Sequence, residues 1–151
     1  MNTATSQLNM LLGRLEAAGR RVTPQRAAVC AALLAHSGHP TAAAVWQQVQ
    51  LTHPSISQAT VYNTLAALEQ LRLIRALDIV GEKHTHYDLC IDAHVNVVCT
   101  ACGRIADVHT DTLEALLGLV ATRSGYRLVP HDGVIVYGHC PACQAAPPAG
   151  G

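Results

Sequence analysis

The sequence predicts an α+β chain in two parts, a helical front half closed by a β-hairpin and a small α/β unit behind it. Apolar residues recur at helical spacing in four successive runs of the front half, each bounded by a capping residue or a Gly. Two short alternating runs then flank a polar turn, the pattern of a hairpin. Behind them, strand-like runs surround one amphipathic helix and carry two Cys-x-x-Cys pairs, Cys99–Cys102 and Cys140–Cys143.

The first helix carries Leu8, Leu11, Leu12 and Leu15 and stops at Gly19. Thr23 caps a second helix with Pro24 in its first turn, where a missing N–H costs nothing. Its inner face is Ala28, Val29, Ala32 and Leu33, and it ends near Ser37-Gly38. Cys30 shares that face and reads as a buried small apolar residue. Thr41 caps a third helix with Val45, Trp46 and Val49. Pro54 breaks the chain, and Ser57 caps a fourth helix with Val61, Leu65, Leu68 and Leu71. Strands over 73–79 and 84–89 follow, joined by Val80-Gly81-Glu82-Lys83. In the back half, strands are predicted over 95–99, 104–108, 126–129 and 134–137. Between them a helix runs from Asp111 through Leu113, Leu116, Leu117 and Val120 to Gly125, with Thr110 or Asp111 as its cap.

At 151 residues the chain has material for one good core or two small ones. It has no Phe, one Trp and four Tyr, so those cores are aliphatic. No run approaches the roughly 20 apolar residues of a membrane span, and no signal segment opens the chain, so a cytoplasmic protein with no membrane partner is expected. In that compartment six cysteines point to metal or redox chemistry. The net charge is zero, but it is unevenly spread. Residues 1–83 hold seven Lys/Arg against four Asp/Glu, and residues 84–151 hold three against six, so +3 faces −3. A phosphate-binding front and a cation-binding back produce such an asymmetry.

Helices followed by a hairpin are the plan of a winged helix-turn-helix, whose last helix enters the major groove with its N-terminal residues toward the bases. Those residues are Ser57, Gln58, Thr60, Tyr62 and Asn63, all hydrogen-bonding types, with Arg20, Arg21 and Arg26 placed to grip phosphate. A merely solvated polar face has the same composition. The two cysteine pairs supply the four thiolates that close a tetrahedral structural zinc site. Two disulfides or a redox-active pair are the alternatives.

Four strings stand in series: Gly19-Arg20-Arg21-Val22-Thr23-Pro24-Gln25-Arg26, Ala59-Thr60-Val61-Tyr62-Asn63-Thr64-Leu65, Cys99-Thr100-Ala101-Cys102-Gly103, and Tyr137-Gly138-His139-Cys140-Pro141-Ala142-Cys143. In order and spacing the chain resembles the ferric uptake regulator (Fur) family from about residue 11 to 143. Thr60-Val61-Tyr62-Asn63 and Gly38-His39-Pro40-Thr41 lean toward its peroxide-sensing (PerR) branch.

The resemblance implies a homodimeric, metal-dependent repressor that binds double-stranded operator DNA and performs no catalysis. It implies a winged-helix domain over 1–89, a hinge over 90–93, an α/β dimerisation domain over 94–143 and a disordered tail over 144–151. The four cysteines would hold structural Zn2+. A second, regulatory ion, Fe2+ or Mn2+, would take His39, Asp88, His94, Asn96 and Asp107. The family usually has a histidine where Asn96 stands, so the site is expected either to be four-coordinate or to recruit a neighbour, Cys90 first, or else His84 or His86, which share a strand face with Asp88. A Cys90 thiolate would tilt preference to Zn2+ and make the chain a zinc-uptake regulator instead. A further site of some relatives matches Ala93, Val95, Glu114 and His131, and is expected to be absent because Ala93 and Val95 cannot ligate. With Fe2+ bound, peroxide is expected to oxidise His39 or His94 and release DNA.

Overall fold

The computed structural model describes residues 3–89, 92–128 and 133–145. The chain divides into two compact units, Met1–Ile91 and Asp92–Gly151. The first is a winged helix: α1 (Thr3–Ala17), α2 (Pro24–Ala35), α3 (Ala42–Thr52), α4 (Gln58–Gln70), β1 (Arg75–Leu77) and β2 (His86–Asp88). The second is a small α/β unit: β3 (Val95–Cys99), β4 (Ile105–Val108), α5 (Thr112–Ser124), β5 (Val134–Gly138) and α6 (Pro141–Ala145). No helix among the described residues is long and apolar enough to cross a membrane.

Each helix of the first unit begins and ends for a local reason. The hydroxyls of Thr23, Thr41 and Ser57 accept the backbone N–H three residues on, as N-caps do. At the end of α1, Gly19 (φ 72°) lets its own N–H reach Glu16 O and the Arg20 N–H reach Leu15 O at 2.9 Å, a Schellman stop. Leu11, Leu15, Val29, Leu33, Val45, Val49, Val61, Leu65 and Leu68 then meet in one aliphatic core. Cys30 lies fully buried in it, and burial pushes its thiol up to about 11, so it packs as an apolar group.

The strands of the hairpin are shorter than the sequence pattern suggests. Leu73 and Ile74 are buried in the helical core and not in the ladder, which runs only Arg75↔Asp88 to Leu77↔His86. The segment before α3 extends the hairpin instead: Thr41 bridges His86, and the Tyr87 N–H donates to Pro40 O at 2.9 Å.

In the second unit the sheet order is β4-β3-β5, with β3 antiparallel to β4 and parallel to β5. The strand expected over 126–129 does not form: residues 126–128 pair with nothing in a ladder, Tyr126 is 74% exposed, and Val129 lies outside the described residues. Asp111 makes no side-chain cap on α5; the Thr110 hydroxyl accepts the Thr112 N–H instead. The short helix α6, absent from the sequence expectation, carries Cys143 and takes in Gln144 and Ala145, which the sequence pattern places in the tail.

Candidate metal centres and nucleic-acid interface

Cys99 ends β3, Cys102 follows in a turn closed by the Gly103 N–H on Cys99 O, and Cys140 and Cys143 flank the start of α6. Parallel pairing of β3 with β5 brings Cys99 beside Gly138, so the two pairs converge. One sulfur from each of the four lies within 4.8 Å of the others, and Cys102 Sγ is 3.7 Å from Cys140 Sγ. That is far beyond the roughly 2.05 Å of a disulfide. It matches the edge of a tetrahedron with metal–sulfur bonds near 2.3 Å, about 3.8 Å. The described cysteines are free thiols.

The thiols are electrostatically unequal. The Cys140 N–H donates to Cys99 Sγ at 3.3 Å and pulls that thiol down to about 6. The Cys143 N–H lowers Cys140 in the same way. Cys143 itself, hydrogen-bonded first to Cys140, is pushed up to about 12. Backbone donors thus favour thiolates in a cluster that holds its last proton tightly, a donor set suited to a soft cation.

The remaining ligand candidates form two groups, one in each unit. In the winged helix, pairing of residues 40–41 with β2 sets His39 beside Asp88, and a ring nitrogen of His39 lies within 4.8 Å of an Asp88 oxygen. His86 plays a supporting part: its Nδ1–H donates to His39 O at 2.9 Å and steadies that segment. Arg75, the cross-strand partner of Asp88, stands 3.8 Å from its buried carboxylate.

In the α/β unit, His94, Asn96 and Asp107 share one face of the sheet, since Asn96 pairs with Asp107 and His94 lies two residues before Asn96. Asn96 is fully buried, and neither its Oδ1 nor its Nδ2 has a hydrogen-bond partner among the described residues. A buried amide left so costs about 1–3 kcal/mol, which a ligand-seeking cation would recover at the oxygen. The donor set therefore fits a mixed N/O metal. Cys90 and His131 lie outside the described residues. Val95 is a strand residue whose side chain has no donor atom, and Glu114 sits exposed in the first turn of α5.

On the winged helix, the first turns of α2 and α4 border a cleft of about 510 Å3 that gathers Arg21, Arg26, Ser57, Thr60 and Asn63, together with Gln25 and Ser55. Ser57 and Thr60 are committed to the cap, with their hydroxyls 2.9 Å apart. Arg26 is steadied by donating from Nη1 to Arg21 O at 2.8 Å, while Arg20 donates to Gln70 Oε1 at the far end of α4. Tyr62, 45% exposed, lies outside this cleft, and Gln58 is exposed on the first turn of α4. No sequence signal announced Gln25, Ser55, the Arg75–Asp88 pair or the His86 support; all arise from tertiary pairing.

Known proteins bear on these features. A model of the ferric uptake regulator family matches residues 17–136. The peroxide-responsive repressor PerR of Staphylococcus saprophyticus is 32% identical over 144 residues, 95% of this chain and 96% of that protein. The peroxide operon regulator of Bacillus subtilis is 32% identical over 141 residues, 93% of this chain and 96% of that protein. Among solved structures, PerR of Streptococcus pyogenes is 33% identical with a TM-score of 0.52, covering 91% of this chain and 93% of its own. The Helicobacter pylori ferric uptake regulator shares the fold at 22% identity, with a TM-score of 0.74 and 96% of each chain covered. On the family match and on these relatives, the chain belongs to the ferric uptake regulator family.

Proposed function

We propose that the chain is a metal-responsive transcriptional repressor, acting on operator DNA as a homodimer and catalysing no reaction. The observation that carries this reading is the N-terminal half of helix α4, whose exposed residues Gln58, Ala59, Tyr62 and Asn63 are uncharged and adjoin an arginine-lined cleft, in a chain that also holds two sets of candidate metal ligands. The relatives named for peroxide-responsive repression, and the fold likeness to a zinc uptake regulator complexed with zinc and DNA, support it.

Zn2+ suits Cys99, Cys102, Cys140 and Cys143 as a closed structural site. The regulatory ion, Fe2+ or Mn2+, suits His39, Asp88, His94, Asn96 and Asp107, drawn from a winged-helix domain over 1–89 and a dimerisation domain over 94–143 with a hinge over 90–93. Held by these residues, a divalent ion would favour one spacing of the two DNA-reading heads. His39 and Asp88 contribute from the hairpin side, where Arg75 holds the Asp88 carboxylate in place. His94 contributes with its Nδ1–H tied to Asp92 O at 2.8 Å. Dimerisation is supported by the apolar side chains the second unit leaves exposed, Leu116, Leu119, Val120, Val136 and Tyr137 among them. A protein of this kind works in the cytoplasm.

The test is selection of duplexes from a random-sequence pool by the full chain in Mn2+, Fe2+ or Zn2+, followed by affinity measurement with and without chelator. The reading expects at least tenfold tighter binding with Mn2+ or Fe2+ than with chelator. A response to Zn2+ alone selects the zinc-uptake alternative and its Cys90 ligand. Equal affinity in all conditions overturns metal control.

A further inference from the structure

A second cleft opens on the hairpin side of α4. It encloses about 230 Å3 and is lined by Thr41, Tyr62, Lys83, His84, Thr85 and Tyr87. Each of these carries a hydrogen-bond donor or a cation, and none is an acid. Burial, then Glu69, Tyr62 and Asp78, raise the Tyr87 phenol, so it stays a protonated donor. Ala42 and Ala43, in the first turn of α3, complete the wall. The lining itself thus offers donors to an anion, with the Glu69 and Asp78 carboxylates acting on Tyr87 from outside it.

The placement of this cleft matters more than its composition. Along α4, Thr60, Asn63 and Thr64 border the arginine cleft, and Tyr62 borders the second one. At 3.6 residues per turn those two directions lie about 150° apart around the helix. The buried stripe, Val61, Leu65 and Leu68, points to the core between them on one side. On the opposite side an exposed stripe of Ala59, Asn63 and Ala66 runs between the two clefts. A helix lying in a major groove has this surrounding: base edges ahead of it and one phosphate backbone on each flank.

We propose that the Tyr62–Lys83–His84 cleft is a second DNA-backbone site, which takes a phosphate of one strand while the Arg21–Arg26 cleft takes a phosphate of the other. The inference rests on the reading of the chain as a DNA-binding protein. It assigns Lys83 and His84, on the hairpin turn, a role in affinity and register. It leaves base reading to the stripe between the clefts, where Asn63 offers an amide and Ala59 and Ala66 offer methyl contacts to thymine.

The experiment uses the full metal-loaded chain and a duplex it selects from a random-sequence pool, with an unselected duplex of the same length as reference. Affinity is measured across a salt series for the wild type, Lys83→Gln and Arg26→Gln. Each phosphate contact contributes about 0.9 to the slope of log affinity on log salt. Each variant is expected to flatten the slope by about that amount and to leave the ratio of selected to unselected binding within about threefold. Single methylphosphonate substitutions then locate each contact. The Lys83→Gln loss should vanish at one phosphate of one strand, and the Arg26→Gln loss at one phosphate of the other. If Arg26→Gln flattens the slope and Lys83→Gln does not, or both map to the same strand, the second site is wrong while the DNA-binding reading stands. If the wild type shows no salt-dependent binding, both fall.

Discussion

His94 Nε2 stands 3.7 Å from Asp107 Oδ1, and the other nitrogen of the same ring is held 2.8 Å from the Asp92 carbonyl. A carbonyl only accepts, so Nδ1 carries a proton, and Nε2 is the ring nitrogen on the side of the carboxylate. Two groups that would both act as electron-pair donors thus face one spot on the sheet, with the buried Asn96 amide on the same face. A histidine that donates one N–H to a carbonyl and presents its other nitrogen is arranged as metal ligands are.

The amide gives this arrangement a sharp test. Asn96→Leu keeps the branched shape and the number of side-chain heavy atoms and removes two polar atoms that make no hydrogen bond among the described residues. In chelator the variant should be as stable as the wild type, or more stable by about 1–2 kcal/mol, because an orphaned polar group is gone. Its Mn2+ affinity, measured by titration calorimetry, should fall at least tenfold. Loss of stability in chelator shows that the amide is satisfied without metal, and unchanged Mn2+ affinity shows that its oxygen is not a ligand.

Much of this was legible beforehand. Thr23, Thr41 and Ser57 were readable as caps because capping depends on residues three apart. The cysteine cluster was readable because each pair is local and only their meeting is tertiary. The boundaries of β1 and β2 were not, since Leu73 and Ile74 carry a strand-like pattern yet are claimed by the helical core. Nor was the place of residues 126–128: β3 takes β5 on its free edge in parallel, which leaves that segment without a partner in the described sheet. The clefts beside α4 depend on which loops the fold brings alongside, and no spacing in the chain encodes that.

The same substitution should act with opposite sign at the two glycines near the end of α1. Gly13 sits within the helix and a Cβ there meets nothing within 4 Å, so Gly13→Ala should stabilise the winged helix by about 0.5–1 kcal/mol. Gly19 also has open space, but its φ is 72°, so Gly19→Ala should cost about 1–2 kcal/mol. Urea unfolding of the two variants measures both. Equal effects would mean that the Schellman stop does not hold in solution.

Acidity should act on the cysteine cluster in a direction set by its hydrogen bonds. In the metal-free, reduced chain Cys99 titrates near 6 when folded and near 9 when unfolded. Between those values the unfolded chain binds the extra proton, so stability rises with pH from 6 to 9 and the benefit is lost as pH falls through 6. Cys143 and Cys30 run the other way, keeping their protons above 9 when folded, so stability should turn down again on the alkaline side. Urea midpoints in chelator and reductant across this range should peak near pH 9. Cys99→Ser should flatten the rising limb, and a variant that rises as steeply as the wild type assigns the proton elsewhere.

Peroxide should leave its mark on the regulatory ligands. His39 and His94 are the two imidazoles of the proposed regulatory set, since Asn96 stands where the family usually has another. An oxidant generated at a bound Fe2+ acts within a few ångströms of its source, so damage should fall on the ligands and spare histidines outside that set, such as His53 and His139. The chain loaded with Zn2+ and Fe2+ and treated with equimolar peroxide should gain one oxygen, mapped by peptide mass spectrometry to His39 or His94. The same chain loaded with Mn2+ in place of Fe2+ should gain none. Its affinity for the selected duplex should fall at least tenfold with Fe2+ and hold with Mn2+, because an oxidised imidazole is a poorer ligand for the ion that sets the DNA-competent form. If Fe2+ and peroxide leave both histidines intact, the chain responds to metal alone, and its likeness to the peroxide-responsive repressors stops short of their signal.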